Sequence, residues 1–305
     1  MKNPYKIERP AKIAFSGGRT SGYMLWNILK AYEYKFPEDI YVCFYNTGKE
    51  DEQTLQFVKD IGENWQIKIY WIELDIDLTK TPSPSRKDDL KWKEVTFETA
   101  SRNGEPFKNI IDYMRIRRFT YPENYSERSQ QEAREGRGLL PNVLSRYCTD
   151  VMKVEAGKNF MKKRDIKIYN DVIGLRYDEP RRVSNIKKRS TRKVEMLTPL
   201  DNAKVTKEEV AKFWSDHWFD LDLPNDGIHS NCDLCFLKGR KKVETLIREK
   251  PEIADWWIER EEENKTVFRK DRFSYKQVKD EILSQPSLFT DETDDGDLGD
   301  CFCTD

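Results

Sequence analysis

The chain has 305 residues, with 54 Lys+Arg against 55 Asp+Glu, 36% charged side chains and a mean hydropathy of −0.86. No run approaches the roughly 20 apolar residues of a membrane span, and the N-terminal MKNPYKIERP lacks the apolar stretch of a signal peptide, so a membrane or exported protein is not expected and a reducing cytoplasm is. The 8 Trp, 14 Tyr and 15 Phe are enough to build a core, which argues against disorder.

In chain order, Ile13-Ala14-Phe15 runs into Ser16-Gly17-Gly18-Arg19-Thr20-Ser21-Gly22 and then into Tyr23, Met24, Leu25, Ile28 and Leu29 at helical spacing. A second strand, Ile40 to Tyr45, ends in Asn46-Thr47-Gly48, and Leu55, Val58 and Ile61 mark the next helix. A third strand runs from Ile67 to Leu74. Three strands alternating with two helices predict an α/β fold, a parallel twisted sheet with helices on both faces, whose ligands bind beyond the carboxyl ends of the strands. Thr79 to Arg102 has no periodicity and reads as a loop, and 107–135 reads as helix broken at Pro122 and too polar for a central core. Thr149 to Lys163 predicts a helix, Ile166 to Ile173 a strand, and Arg181 to Lys193 a basic run of seven bases without an acid. Thr206 suits the N-cap of a helix ending near Trp214. Helices near 241–249 and 251–263 follow, and residues 291–305 carry seven acids and no base. The near-neutral chain is thus a body near +6 joined to an acidic tail. The expected organisation is an α/β domain over 1–225 with an insertion at about 79–135, a helical region with a Cys pair over 226–285, and an acidic tail over 286–305.

Chemistry concentrates in three places. The loop Ser16 to Ser21 presents amides, hydroxyls and a helix N-terminus, a combination that binds anions; the same residues also suit a ligand-free βα turn. It fits neither the GxxxxGK[ST] nor the GxGxxG phosphate motif. Cys232 and Cys235 form a CxxC. Cys148 is a third candidate ligand and Cys301 or Cys303 a fourth, for an iron-sulfur cluster or zinc; a redox pair or free thiols are the alternatives. Cys43, inside a strand, reads as packed core. Arg176, Arg181 and Arg182 follow a strand end and could fork onto phosphate or sulfate, or form a solvated charge run. Neither His217 nor His229 has an obvious catalytic partner.

Together these blocks resemble the phosphoadenosine phosphosulfate reductase family, within the wider adenine-nucleotide alpha-hydrolase (PP-loop) group. Ser16-Gly17-Gly18-Arg19-Thr20-Ser21 is similar to the family's SGGxDS loop, and Asn46-Thr47-Gly48 with Thr54-Leu55 to DTGxxxxET. Arg146, Cys148-Thr149 and Lys153 resemble RxCTxxxK, and Gly174-Leu175-Arg176 with Glu179 and Arg182 resembles GxRxxESxxR. Thr198-Pro199-Leu200, Leu223-Pro224, Gly227, Ser230 and the Cys pair resemble its closing PL…LP…GxxxxxCxxC stretch. The resemblance implies a Rossmann-like nucleotide domain that holds the phosphates of ATP or phosphoadenosine phosphosulfate on the Ser16 loop, with adenosine near Asn46 to Gly48. It further implies Arg176 and Arg182 at the anionic end, and a 4Fe-4S cluster on Cys148, Cys232 and Cys235, for which Cys303 is the candidate fourth ligand from the tail. Thr20, Asn46 and Gln53 replace acidic residues of the family pattern, removing carboxylates that would hold Mg²⁺ or ribose. The tail offers Cys301 and Cys303 as nucleophiles, as cluster ligands, or as one of each.

Two activities follow from the resemblance. One is ATP-dependent adenylation of an acceptor, nucleic acid or small molecule, followed by sulfur transfer in which the cluster or a tail thiolate delivers the sulfur, with a cysteine desulfurase as a candidate partner. The other is reduction of phosphoadenosine phosphosulfate to sulfite with a thioredoxin-like reductant. A binding module with a structural metal, gripping nucleic acid through its basic segments, is the non-enzymatic alternative. Docking of the acidic tail across the basic body is a further expectation, and the oligomeric state is left open.

Overall fold

The apolar run around Ile13 becomes strand β1 (Ala11–Ala14), and five strands assemble around it: β2 (Ile40–Tyr45), β3 (Ile69–Asp75), β4 (Lys91–Val95), β5 (Tyr169–Ile173) and β6 (Val194–Leu197). The computed structural model describes residues 3–224, 226–229, 232–271 and 273–284. The sheet order is β4-β3-β2-β1-β5-β6, parallel throughout except for the β3/β4 pair. Helices α1 (Arg19–Ala31) and α2 (Glu52–Asn64) carry the chain outward from β1 to β3. Helix α3 (Arg86–Asp89) precedes β4, and α4 (Glu105–Thr120), α5 (Glu127–Arg134) and α6 (Tyr147–Thr149) follow it. A π-helical stretch, Asp150–Glu155, then leads into α7 (Ala156–Lys162). The rest is α8 (Pro180–Lys187), α9 (Pro199–Asn202), α10 (Lys207–Asp216), α11 (Arg240–Glu249), α12 (Ile253–Asn264) and α13 (Tyr275–Ser284).

Alternation along the strands decides which helix covers which face. Ala11, Ile13, Val42 and Phe44 pack on one side against Leu25 and Ile28 of α1, Leu55, Val58 and Ile61 of α2, and Trp214 of α10. Cys43, Tyr45 and Tyr169 point to the other, beneath Ala156, Phe160 and Met161 of α7. On that same face Val183 and Ile186 of α8 lie against Ile173 and Leu175. The connections diverge at β1, because β2 flanks it on one side and β5 on the other. This is the position at which doubly wound sheets open a crevice.

Three expectations change. The stretch 79–102 contains an edge strand: Lys91-Trp92-Lys93-Glu94-Val95 half-buries only Trp92 and Val95 and leaves Lys91, Lys93 and Glu94 exposed, enough for an antiparallel edge. Helix α4 is no polar appendage; Phe107, Ile110, Ile111 and Tyr113 share a second core with Leu246 of α11, Trp257 of α12 and Val278 of α13. The basic run 181–193 holds a helix, since Val183 and Ile186 three apart supply a buried stripe and Pro180 starts it. Thr206 and Glu209 form the full capping box on α10. Among the described residues, no helix is long and apolar enough to cross a membrane.

Candidate functional site

At the carboxyl end of β1 the chain must turn sharply into α1. Gly17 makes this possible: its φ is +83°, and a Cβ there would lie 2.7 Å from Thr54 Cγ2 and 3.1 Å from Phe44. Gly18 then precedes α1 with extended backbone and no side-chain cap, and no acidic residue sits in the first turn. The turn is held from within. The Ser21 hydroxyl donates to the Gly18 carbonyl at 2.9 Å, accepts from the Ser16 amide at 3.2 Å and lies 2.8 Å from the Ser16 hydroxyl. A helix N-terminus free of side-chain carboxylate keeps its dipole and amides available to an anion.

Strand β5 ends beside this loop, with Ala14 and Ile173 in register. Gly174 lets the two segments touch, since a Cβ there would stand 3.1 Å from Ser21 Cα. Arg176, only 9% exposed, then donates from Nη1 to Thr20 Oγ1 at 2.9 Å and from Nε to Asp178 at 2.9 Å. Glu179 accepts from the Arg176 amide at 3.0 Å and from Arg182. The arginines are therefore aimed by carboxylates. Arg19 faces away from the loop: its guanidinium forks onto Asp220 at 2.6–3.0 Å and donates to the Leu223 carbonyl at 2.6 Å, acting as a strut.

Asn46, Thr47 and Gly48 are buried and occupied by protein partners. Asn46 donates to Glu73 at 2.6 Å and to the Ser101 carbonyl at 2.8 Å, while Thr47 bonds Glu50 at 2.9 Å. The open volume lies over β1 and β5 instead. A cavity of about 490 Å³ beside the π-helical stretch and α7 is bounded by Ser16, Ile173 and Gly174 at its upper end, with Arg86, Lys153, Lys158 and Arg189 around it. Lys12, Tyr45, Tyr169 and Asp171 also line it. Lys12 and Asp171, partners in register, form an ion pair of 2.7 Å with side chains 4% and 16% exposed. The Tyr45 and Tyr169 hydroxyls are buried without hydrogen-bond partners. Burial raises both phenols above their ordinary range, so they remain donors.

The CxxC is seated on the loop after β2. Asp233, between the two cysteines, takes the Trp257 indole N–H at 2.9 Å and pairs with Lys49 at 2.8 Å, and its amide donates to the Lys49 carbonyl. Cys232 Sγ lies 3.8 Å from Thr47 Oγ1, and Cys148 and Cys235 pack against the second core. Arg146 is half-buried, and its carbonyl accepts the Thr149 and Asp150 amides at the start of the α6 helical run. Among the described residues, no group of three or more His, Cys, Asp or Glu side chains is placed to hold a metal. Cys301, Cys303, Ser230 and the acidic tail lie outside the described residues. Cys43 is wholly buried, with its thiol pushed up to about 12 by burial, as packed core requires.

Three side chains in this neighbourhood were not singled out from the sequence: Lys12, Asp171 and Asp233. A lysine inside an otherwise apolar strand was the available signal for the first. His229 bridges Asp226 at 3.1 Å and Glu249 at 3.0 Å and lines a narrow cleft with Thr20, Arg176 and Lys207.

No family model matches the chain. It is 26% identical over 236 residues to an uncharacterised nin region protein of Escherichia phage lambda, covering 76% of this chain and 67% of that protein. It is also 44% identical over 70 residues to an uncharacterised protein of Methanocaldococcus jannaschii, a stretch that makes up 23% of this chain and 14% of the archaeal protein.

Proposed function

We propose that the chain is an adenine-nucleotide-dependent enzyme of the phosphoadenosine phosphosulfate reductase type that adenylates an acceptor oxygen with ATP and directs sulfur to the activated centre. The observation that carries this reading is the meeting of the Ser16–Ser21 loop with Arg176 at the β1/β5 switch point, where Ser16 and Gly174 also bound a cavity of about 490 Å³. In this reading the α1 N-terminus and the hydroxyls of Ser16 and Thr20 take the phosphates. Arg176, already committed to Thr20 and Asp178, turns one guanidinium edge to the charge that grows on the α-phosphate. The adenosine occupies the cavity over β1 and β5, because Asn46 to Gly48 are closed by Glu73, Ser101 and Glu50.

The acceptor oxygen displaces pyrophosphate, and sulfur at the sulfide level then displaces AMP. The thiols of Cys232 and Cys235 stand at the neighbouring strand end, but the described cysteines do not form a closed metal-ligand set, so no step is assigned to a cluster. Incubating the protein with γ-labelled ATP and candidate acceptors tests the reading. Pyrophosphate release that depends on acceptor supports it, and release of sulfite from phosphoadenosine phosphosulfate without ATP use replaces it by the reductive activity. Iron and sulfide assays on anaerobically purified protein decide separately whether the cysteines carry a cluster, and a Cys232→Ala variant should lose any metal found.

A further inference from the structure

A second cavity, also of about 490 Å³, opens at the far end of α1. Its walls are Trp26, Tyr34, Trp65 and Trp218, with Lys35, Asn64 and Gln66 as its polar groups. Since α1 has 13 residues, this cleft stands about 20 Å from the Ser16 loop at 1.5 Å per residue. It therefore belongs to the opposite edge of the sheet.

Three observations mark it as a built site. Trp218 and Tyr34 are 69% and 56% exposed, although aromatic rings of this size are ordinarily covered. Tyr34 holds its ring 5.5 Å from that of Trp26 only by adopting a φ of +63°, directly after Glu33 at +54°. A bulky residue in this region is strained. Trp65, only 7% exposed, lines the cleft with its ring, while its Nε1–H is buried without an acceptor among the described residues.

We infer that this cleft binds an unpaired base of single-stranded nucleic acid. The charged group that lines it is the Lys35 ammonium, and among the described residues no carboxylate lines it, so its occupant brings negative charge. The side-chain amides of Asn64 and Gln66 add groups of the kind that read base edges. Exposed indole and phenol faces are stacking platforms that any base can use, and a nearby lysine suits the backbone phosphate. The inference rests on the cleft alone and does not require the nucleotide chemistry at the other edge.

The test is fluorescence anisotropy of the full chain with labelled oligothymidylate and oligouridylate, and with a duplex. Trp218→Ala and Tyr34→Ala should each weaken single-strand binding roughly 5- to 150-fold, the range for loss of one stacked base. The duplex should bind more weakly than the single strand, and Arg176→Ala should leave single-strand binding unchanged even if ATP binding is lost. Single-strand affinity unmoved by Trp218→Ala overturns the inference. So does a concentration-dependent dimer in sedimentation that Trp218→Ala abolishes while oligonucleotide binding persists, because a second copy would then be the occupant.

Discussion

The crevice at the β1/β5 switch point and the aromatic cleft sit at opposite ends of α1 and are made of opposite materials. The crevice is built from backbone amides, glycines and charged groups that hold one another: Arg176 by Asp178, Arg182 by Glu179, Lys12 by Asp171. The cleft is built from rings whose faces are left open. Electrostatic sites are fixed in advance by paired charges and strained turns, whereas stacking sites need only rigid planar surfaces. Substitutions should therefore damage the crevice through charge and backbone geometry, and the cleft through loss of area.

The largest effect on fold stability should come from Lys12→Met. It strands the Asp171 carboxylate inside the sheet, and breaking one half of a buried pair costs about 3–5 kcal/mol. The double variant Lys12→Met/Asp171→Leu should recover most of that loss in urea denaturation, since an apolar pair of similar volume is often as stable. A cost below about 1 kcal/mol for the single variant would show the pair to be effectively solvated, and the contrast between a charge-built crevice and a ring-built cleft would weaken.

Gly17→Ala should come next, with a cost of about 1–3 kcal/mol from a residue forced to positive φ, increased by the approach to Thr54 Cγ2 at 2.7 Å. Gly136→Ala supplies the control. Its φ is +72°, but nothing approaches the added Cβ more closely than Lys265 Nζ at 3.7 Å, so only the backbone strain should be felt. If the two variants melt alike, contact with Thr54 contributes nothing to the turn. Gly17→Ala should also abolish ATP binding in calorimetry, while leaving oligonucleotide binding at the cleft intact.

Arg176→Lys sharpens the comparison further, because it keeps the charge and removes the fork. One ammonium cannot serve Thr20, Asp178 and an anion together. A loss of a single charge-assisted hydrogen bond, roughly 10- to 100-fold in ATP affinity, is expected at constant fold stability. Unchanged affinity would mean that the guanidinium is a strut, as Arg19 is against Asp220.

The difference in materials also explains what could be read in advance. Ser16 to Ser21, Gly174 and Arg176 occupy the ends of two strands, so short contiguous motifs carried them and hydrophobic alternation placed those strands. The partners of Asn46 could not be read in advance, because the sequence does not reveal that Glu73 and Ser101 accept from that side chain. Lys12 and Asp171 meet only through strand register. Strand β4 and helix α8 were hidden by charge, since an edge strand and a half-covered helix need only a few apolar positions. The cleft was illegible for a stronger reason: Trp26, Tyr34, Trp65 and Trp218 come from separate segments, and each alone reads as ordinary core.

The smallest expected effect lies behind the cleft, at His217. Its ring is packed among those of Trp26, Trp65, Phe213 and Phe219, with centroids 4.9–6.0 Å away. Burial lowers its pKa, against an opposing pull from Asp220. Because the folded value is depressed, the unfolded chain binds the proton first as pH falls. The stability contributed by neutral His217 is thus complete above the unfolded value of about 6.5, and it is lost as pH drops through that value toward the folded one. His217→Phe keeps an aromatic ring and removes the titration. The stability difference between wild type and His217→Phe, measured by denaturant titration from pH 7.5 to pH 5, should move against wild type on acidification. A difference that stays flat over that window would mean that the imidazole is as well hydrated in the fold as in the unfolded chain, and that the aromatic nest behind the cleft is wetter than its ring packing implies.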